Sequence, residues 1–422
     1  MKRLKTLLPI FIVIIALTAC DDDDNNNGKN IDVNQELLNL MDSYYLWYNQ
    51  MPVVNPQDYS NPAELMDALR VNPPDKWSYV TTRAEFEAYY NQAAYVGFGF
   101  GSGFDADGNL YISFVFKSSP LAAEGVGRGW QILTIDGETP TTNNYSDLIG
   151  ASEVGVSKTF VFKSPGGENY EYTFTKNEIS MNTVLFDSVY TYGTSKVGYF
   201  VLESFIDKTK EELNTVFSNF KSAGVNELIV DLRYNGGGEV IVSKYLANLI
   251  GGSVAFGKVY ATSAHNDKHS DLNCSYLFSA ESNSLSLNRV IFITTSGTAS
   301  ASELVINGLK PFMDVALVGE NTHGKPVGMY IFTFNDPDID WAFVPVCFSM
   351  YNANNEGDYY NGLQVTVAAN DDILVPFGDT DESSLNASLS YLGVTTKGNT
   401  AKSIKPFHSI VGKGLKAEIG AW

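Results

Sequence analysis

Three cysteines and four histidines are all that 422 residues offer to a metal site or a disulfide framework. The histidines (His265, His269, His323, His408) show no ligand cluster. His265 and His269 stand i, i+4, but in a polar Asn/Asp/Ser stretch that reads as loop. No metal site is expected. Basic residues are scarce as well: 28 Lys and Arg against 48 Asp and Glu give a net charge of −20. That balance argues against nucleic acid and anionic lipid surfaces as partners. Beyond the N-terminus no run is long and apolar enough to cross a membrane. The triplet Gly236-Gly237-Gly238 lacks both the lysine spacing of a phosphate-binding loop and the dinucleotide fingerprint. A loop whose backbone approaches a ligand closely is the better use of it.

Residues 1–20 read as a targeting segment. Met1-Lys-Arg-Leu-Lys is a basic start, Leu7–Leu17 an apolar stretch too short to span a bilayer, and Leu17-Thr-Ala-Cys20 its end. That tetrapeptide resembles the bacterial lipobox, whose cysteine is lipidated and becomes the mature N-terminus; an ordinary signal peptide with an incidental cysteine is the other reading. Residues 21–30, with Asp21–Asp24 and Asn25–Asn27, form a low-complexity tether that cannot pack. An acidic run after the cysteine also resembles the surface-export signal of Bacteroidetes lipoproteins. The expectation is a cell-envelope, outer-membrane lipoprotein, periplasmic or surface-exposed, held to the membrane by lipid at Cys20 alone. Outside the cytoplasm Cys274 and Cys347 are permitted a disulfide; two buried free thiols are the alternative.

Hydrophobic content of 44% supplies cores for two or three domains. Residues 31–94 are expected to be helical. Gln35–Tyr48 sets Leu37, Leu38, Met41, Tyr44, Tyr45 and Trp47 on an apolar face, Pro62–Leu69 follows with Asn61 as its cap, and Arg83–Tyr90 gives a third helix. From Tyr95 the period changes to that of strands. Asp105-Ala-Asp-Gly108 reads as a turn before the strand Leu110–Phe116, with too few ligands for a calcium loop. Residues 95–180 resemble a PDZ domain of the circularly permuted bacterial kind. In that family a Gly-hydrophobic-Gly-hydrophobic loop captures a peptide's C-terminal carboxylate with backbone amides, and the peptide adds as a strand. Gly97, Phe98, Gly99 and Phe100 match the loop, while Trp130 stands where Asp is frequent.

Residues 181–422 alternate strand and helix, which predicts a mostly parallel α/β sheet. Within them, Val290–Thr295 reads as a buried strand, Ser300 opens a helical segment to about Leu309, and Val315–Val318 is a second strand running into Gly-Glu-Asn-Thr-His-Gly-Lys. Ser300 thus stands at a strand-to-helix turn, where a hydroxyl is held beside backbone N–H groups and the positive end of a helix. Ser300-Ala-Ser-Glu303 fits a capping box equally well. Lys325 follows 25 residues later, after one helix and one strand that can return it to the serine.

Taken in order, Asp231-Leu-Arg-x-Asn-x-Gly-Gly238, Thr298-Ala-Ser-Ala-Ser-Glu303 and Thr322-x-Gly-Lys325 resemble the S41 family of serine peptidases, the C-terminal processing proteases. The resemblance covers most of residues 35–395. It implies an α/β multidomain fold: a helical N-terminal region, the PDZ-like β domain and a ClpP/crotonase-like protease core. It implies Ser300 as nucleophile, Lys325 as general base, the amides of Gly237 and Ala301 as oxyanion hole, polypeptide substrates and no cofactor. A lysine serves as base only where burial lowers its pKa toward ~7; Gly324, Pro326 and Val327 around it offer nothing acidic.

Two positions depart from the family pattern. Met329 replaces a glutamine that helps to orient the lysine, and His323 stands where an aromatic is usual. His323 and Lys325 would share a face of an extended segment, so a Ser-His arrangement competes with a histidine packed as an aromatic surrogate. On the same fold, the rival function is a non-catalytic peptide- or ligand-binding lipoprotein. An envelope protein whose aromatics contact glycans is a third reading. The sequence leaves the oligomeric state unknown.

Overall fold

The computed structural model describes residues 14–17, 31–336, 338–394, 406–410, 412 and 414–422. Cys20 and the tether at 21–30 lie outside them, as does most of the expected signal segment. Among the described residues no helix is long and apolar enough to cross a membrane. The chain divides into two compact units, each built from separate stretches: Met1–Phe86 with Ser263–Cys274 and Val327–Ser349, and Glu87–Thr262 with Ser275–Pro326 and Met350–Trp422.

The first unit holds the helix Val33–Tyr44, where one was expected over Gln35–Tyr48, and the expected helix Pro62–Leu69. Asp32 caps one by accepting the Gln35 N–H, and Asn61 caps the other by accepting from Ala63 and Glu64. Leu37, Leu40 and Met41 are buried on the first, and Leu65, Met66 and Leu69 on the second, so the stripes are packing faces. The expectation of an all-helical start is corrected at Tyr79–Thr82, a strand paired antiparallel with Trp341–Val344. Four residues are too few to show a period, and the partner lies far away in the sequence. The remaining strands of this sheet are Ile331–Phe334 and the backbone of Ile14–Leu17. His265 and His269 serve here as packed, hydrogen-bonded rings: His265 meets the Tyr330 hydroxyl at 2.7 Å, and His269 stacks on Tyr44 and meets the Ser43 hydroxyl at 2.9 Å. Cys274 is exposed and Cys347 buried, and both are free thiols.

The second unit contains a β module and an α/β layer. In the module, Phe100–Asp105, Leu110–Val115, Gln131–Ile135, Ser157–Lys163 and Asn169–Thr175 form an antiparallel meander. Its core is built on Phe98, Phe100, Ile112, Phe160 and Phe162, with Trp130 packed against it. The Asp105 carboxylate accepts the N–H groups of Asp107 and Asn109 and so closes the expected turn.

The α/β layer is a six-stranded sheet in the order Val184–Tyr192, Ser195–Leu202, Glu227–Asp231, Arg289–Thr294, Asp314–Gly319 and Val367–Ala368. Only the first pair is antiparallel; the later pairs are parallel, with Ile229 beside Ile291 and Ile291 beside Ala316. Parallel pairing requires long crossovers, supplied in part by the helices Thr209–Ala223 and Ala301–Leu309. Leu213, Val216, Phe217 and Phe220 are buried on the first, as its 3.6-residue spacing predicts. The helix Ser383–Tyr391 adds Leu385 and Leu389 to a core of Val197, Tyr199, Ile229 and Ile291.

Candidate active site

Ser300 terminates the turn that leads from the strand Arg289–Thr294 into the helix Ala301–Leu309. Its backbone lies at φ 55°, ψ −114°, a conformation that costs a non-glycine residue about 1–3 kcal/mol and persists only where the surroundings impose it. Those surroundings are visible. The Thr298 hydroxyl donates to the Leu232 carbonyl and accepts the Thr295 N–H, while the Ala299 N–H and the Ser302 hydroxyl both donate to the Asn235 carbonyl. The serine turn is thereby stitched to the loop that follows Asp231.

Glu303 joins the turn to the lysine segment. Its side chain is fully buried. One oxygen, Oε2, accepts the N–H of Ser300 at 3.0 Å and that of Lys325 at 2.8 Å; the other accepts the Gly324 N–H and the Thr322 hydroxyl. Burial raises its pKa, against the lowering effect of these four hydrogen bonds. The acid missing from the sequence around Lys325 is thus brought in by the fold. The spacing of Ser300 and Glu303 announces a helix cap; it gives no sign that the same carboxylate reaches across to residues 322–325. Lys325 itself is buried, with 8% of its surface exposed.

Gly237 lies directly against the serine. At φ 118°, a Cβ there would stand 2.7 Å from the Ser300 Cβ and 3.1 Å from the Ala301 nitrogen, so only glycine fits. The Ala301 N–H, at the first position of its helix, has no carbonyl one turn back within the helix. The Gly237 N–H donates to Asn235 Oδ1 at 2.9 Å. Of the two expected oxyanion donors, one is therefore held by a side chain in this conformation. His323 donates its N–H to the Thr298 carbonyl, and its Nδ1 lies 3.3 Å from the Ser296 carbonyl oxygen.

Beneath this loop lies an ionic cluster absent from the sequence reading. Arg233 is fully buried and contacts Asp231, Asp371 and Glu382; Arg128, from the β module, also reaches Asp371 at 2.7 Å. Burial works against the charge of Asp371, yet Arg128, Arg233 and the Tyr234 hydroxyl hold its pKa down at about 2. Among the described residues no group of three His, Cys, Asp or Glu has the arrangement of a metal site.

In the β module, the side chains of Phe98 and Phe100 are buried in its core, so the loop presents backbone. The N–H groups of Phe98, Gly99 and Phe100 all point at the carbonyl oxygen of Trp422, at 2.9, 2.8 and 3.4 Å.

Residues 196–367 match the profile of Peptidase family S41, and residues 32–79 that of the Peptidase S41 N-terminal domain. Over 223 residues the chain is 23% identical to the carboxy-terminal processing protease CtpA of Bacillus subtilis, which covers 52% of this chain and 45% of that protein. Over 230 residues it is 28% identical to a carboxyl-terminal-processing protease of Picosynechococcus, covering 54% and 53%. The chain thus spans about half the length of the curated relatives it matches. A solved structure from Bacteroides fragilis, assigned to the S41 proteases, is similar with a TM-score of 0.70 at 25% identity, covering 86% of this chain and 98% of that one.

Proposed function

Because this chain belongs to peptidase family S41, we propose that it hydrolyses polypeptides with Ser300 as nucleophile and Lys325 as general base. The observation that carries this reading is the shared Glu303 oxygen, which accepts the N–H of both residues. It fixes their backbones side by side, as a dyad requires. Lys325 takes the Ser300 proton as Oγ attacks the scissile carbonyl, then returns it to the leaving amine; water releases the acyl group by the same route. The developing oxyanion sits between the Ala301 and Gly237 amides, the latter once Asn235 Oδ1 shares or yields it. Each such donor is worth ~10²–10³ in rate. Glu303 anchors the lysine segment through the Lys325 backbone N–H.

The β module at 95–180 is read as PDZ-like and as the selector of substrate C-termini, on a ClpP/crotonase-like core. Lipid at Cys20 would hold the enzyme in the cell envelope. The direct test is peptide and casein hydrolysis by the wild type against Ser300→Ala. Loss of turnover with an unchanged melting curve supports the assignment; unchanged turnover overturns it. One observation favours a second reading. The Gly237 N–H is engaged by Asn235, as it could remain in a non-catalytic peptide-binding protein, and absence of hydrolysis by the wild type would favour that.

A further inference from the structure

The glycine loop beside Ser300 ends in an acid that the hydrolytic mechanism leaves idle. Glu239 stands two residues after Gly237, and its backbone is fixed on both sides. Its N–H donates to the Phe205 carbonyl at 2.7 Å, and its carbonyl accepts the N–H groups of Val242 and Ser243 at 3.1 and 3.0 Å. The Phe205 N–H donates to the Gly237 carbonyl at 2.9 Å, and Phe205 bridges Gly238 in the parallel sense. Residues 237–239 are therefore a short strip pinned along Phe205, and two residues of chain span at most about 7 Å. A substrate whose scissile carbonyl rests on the Gly237 amide covers the same distance in one or two residues.

The Glu239 side chain is half-buried. Its Oε1 is closed off from solvent and has no hydrogen-bond partner among the described residues. The residue stands at the N-cap of the helix Val240–Ala255, yet its side chain accepts none of that helix's N–H groups. Burial lifts its pKa to about 7; Lys210 opposes the shift and Asp207 adds to it. Both stand at the start of the helix Thr209–Ala223, and Lys210 Nζ is already engaged by Asp207 Oδ1 at 2.6 Å. A covered acceptor with no donor is costly. A ligand that brings N–H groups and positive charge removes that cost, whereas one that brings a second carboxylate adds to it.

We propose that Glu239 is a specificity-determining residue: it receives a lysine or arginine side chain of the polypeptide substrate, one or two residues from the scissile bond. The inference rests on the reading of Ser300 as a peptidase nucleophile, and it adds the class of sequence that the site selects. Lysine and arginine suit a carboxyl set back in a half-covered recess. Their aliphatic stems lie along the covering surface while the charge reaches the acid.

The test is digestion of casein by the wild type and by Glu239→Gln, with cut sites mapped by mass spectrometry. Kinetics follow on a peptide pair that carries Lys or Gln at the favoured position. The wild type should concentrate its cuts within two residues of Lys or Arg. It should cleave the lysine peptide with kcat/KM ~10-fold or more above the glutamine peptide, the effect of one hydrogen bond to a charged group. Glu239→Gln should bring that ratio close to unity. The ratio cancels any titration that both peptides share, that of Lys325 included. Glu239 is neutral below about pH 7 and ionised above it, so the wild-type ratio should rise from about pH 6 to about pH 8. Cuts with no basic preference, a ratio that Glu239→Gln retains, or a ratio flat with pH would each overturn the proposal while leaving the peptidase intact. No hydrolysis by the wild type at all would defeat the Ser300 reading, and this inference with it. If Glu239→Gln does not fold, the pH dependence of the wild-type ratio decides.

Discussion

Gly237 and Ser300 are pressed together so closely that a β-carbon on the glycine would lie 2.7 Å from that of the serine. The contact is between a loop and a turn that belong to different crossovers of the sheet, and neither can shift alone. Gly237→Ala should therefore displace the serine or the Ala301 amide and lower kcat by ~10²–10³, the effect of losing one oxyanion donor. Kinetics on a casein-derived peptide would read this, and a variant with full kcat would refute the contact's catalytic meaning.

Glu303→Ala would leave four donors without their acceptor. Each orphaned buried group costs about 1–3 kcal/mol, so the variant should be destabilised by at least about 2 kcal/mol in urea unfolding and should lose activity. Glu303→Gln keeps one acceptor oxygen and should fall between the two. Equal stability of all three proteins would contradict the hub assigned to this residue.

Lys325→Ala should be as inactive as Ser300→Ala, while His323→Phe should retain most of the wild-type turnover. The basis is that Glu303 binds the Lys325 backbone, whereas the His323 Nδ1 is turned to the Ser296 carbonyl oxygen. The opposite pattern would transfer the role of base to the histidine.

Arg233→Met should destabilise the α/β layer by about 3–5 kcal/mol, the cost of breaking a buried pair and leaving its partners charged. Asp231, Asp371 and Glu382 all contact this guanidinium. A thermal melt matching the wild type would show that the cluster is dispensable.

The features that were legible in the sequence are those written locally. The helix Thr209–Ala223 is spelled by the spacing of Leu213, Val216, Phe217 and Phe220, and the Ser300 turn by a β-branched run followed by small residues. Tyr79–Thr82 was hidden because four residues carry no period and their partners are at Trp341–Val344. The partners of Arg233 at Asp371 and Glu382 lie 138 and 149 residues away, and pairing at such range leaves no trace in spacing. Glu303 was visible only as a cap, because its second set of bonds depends on where a later strand delivers residues 322–325. The return of 263–274 and 327–349 to the first unit is equally unreadable, since a polar loop such as 265–273 signals a break in the pattern but not where the chain goes.

Asp371 has one further consequence. It is a common counter-ion: Arg128 from the β module and Arg233 from beneath the glycine loop meet the same oxygen, each at 2.7 Å. Any swing that drew the module away would strip a buried carboxylate of half its neutralising charge, at a cost measured in kilocalories rather than in thermal jostling. The module is thus clamped at a defined attitude to the core, and a partner that re-aims it must first supply a replacement for Arg128.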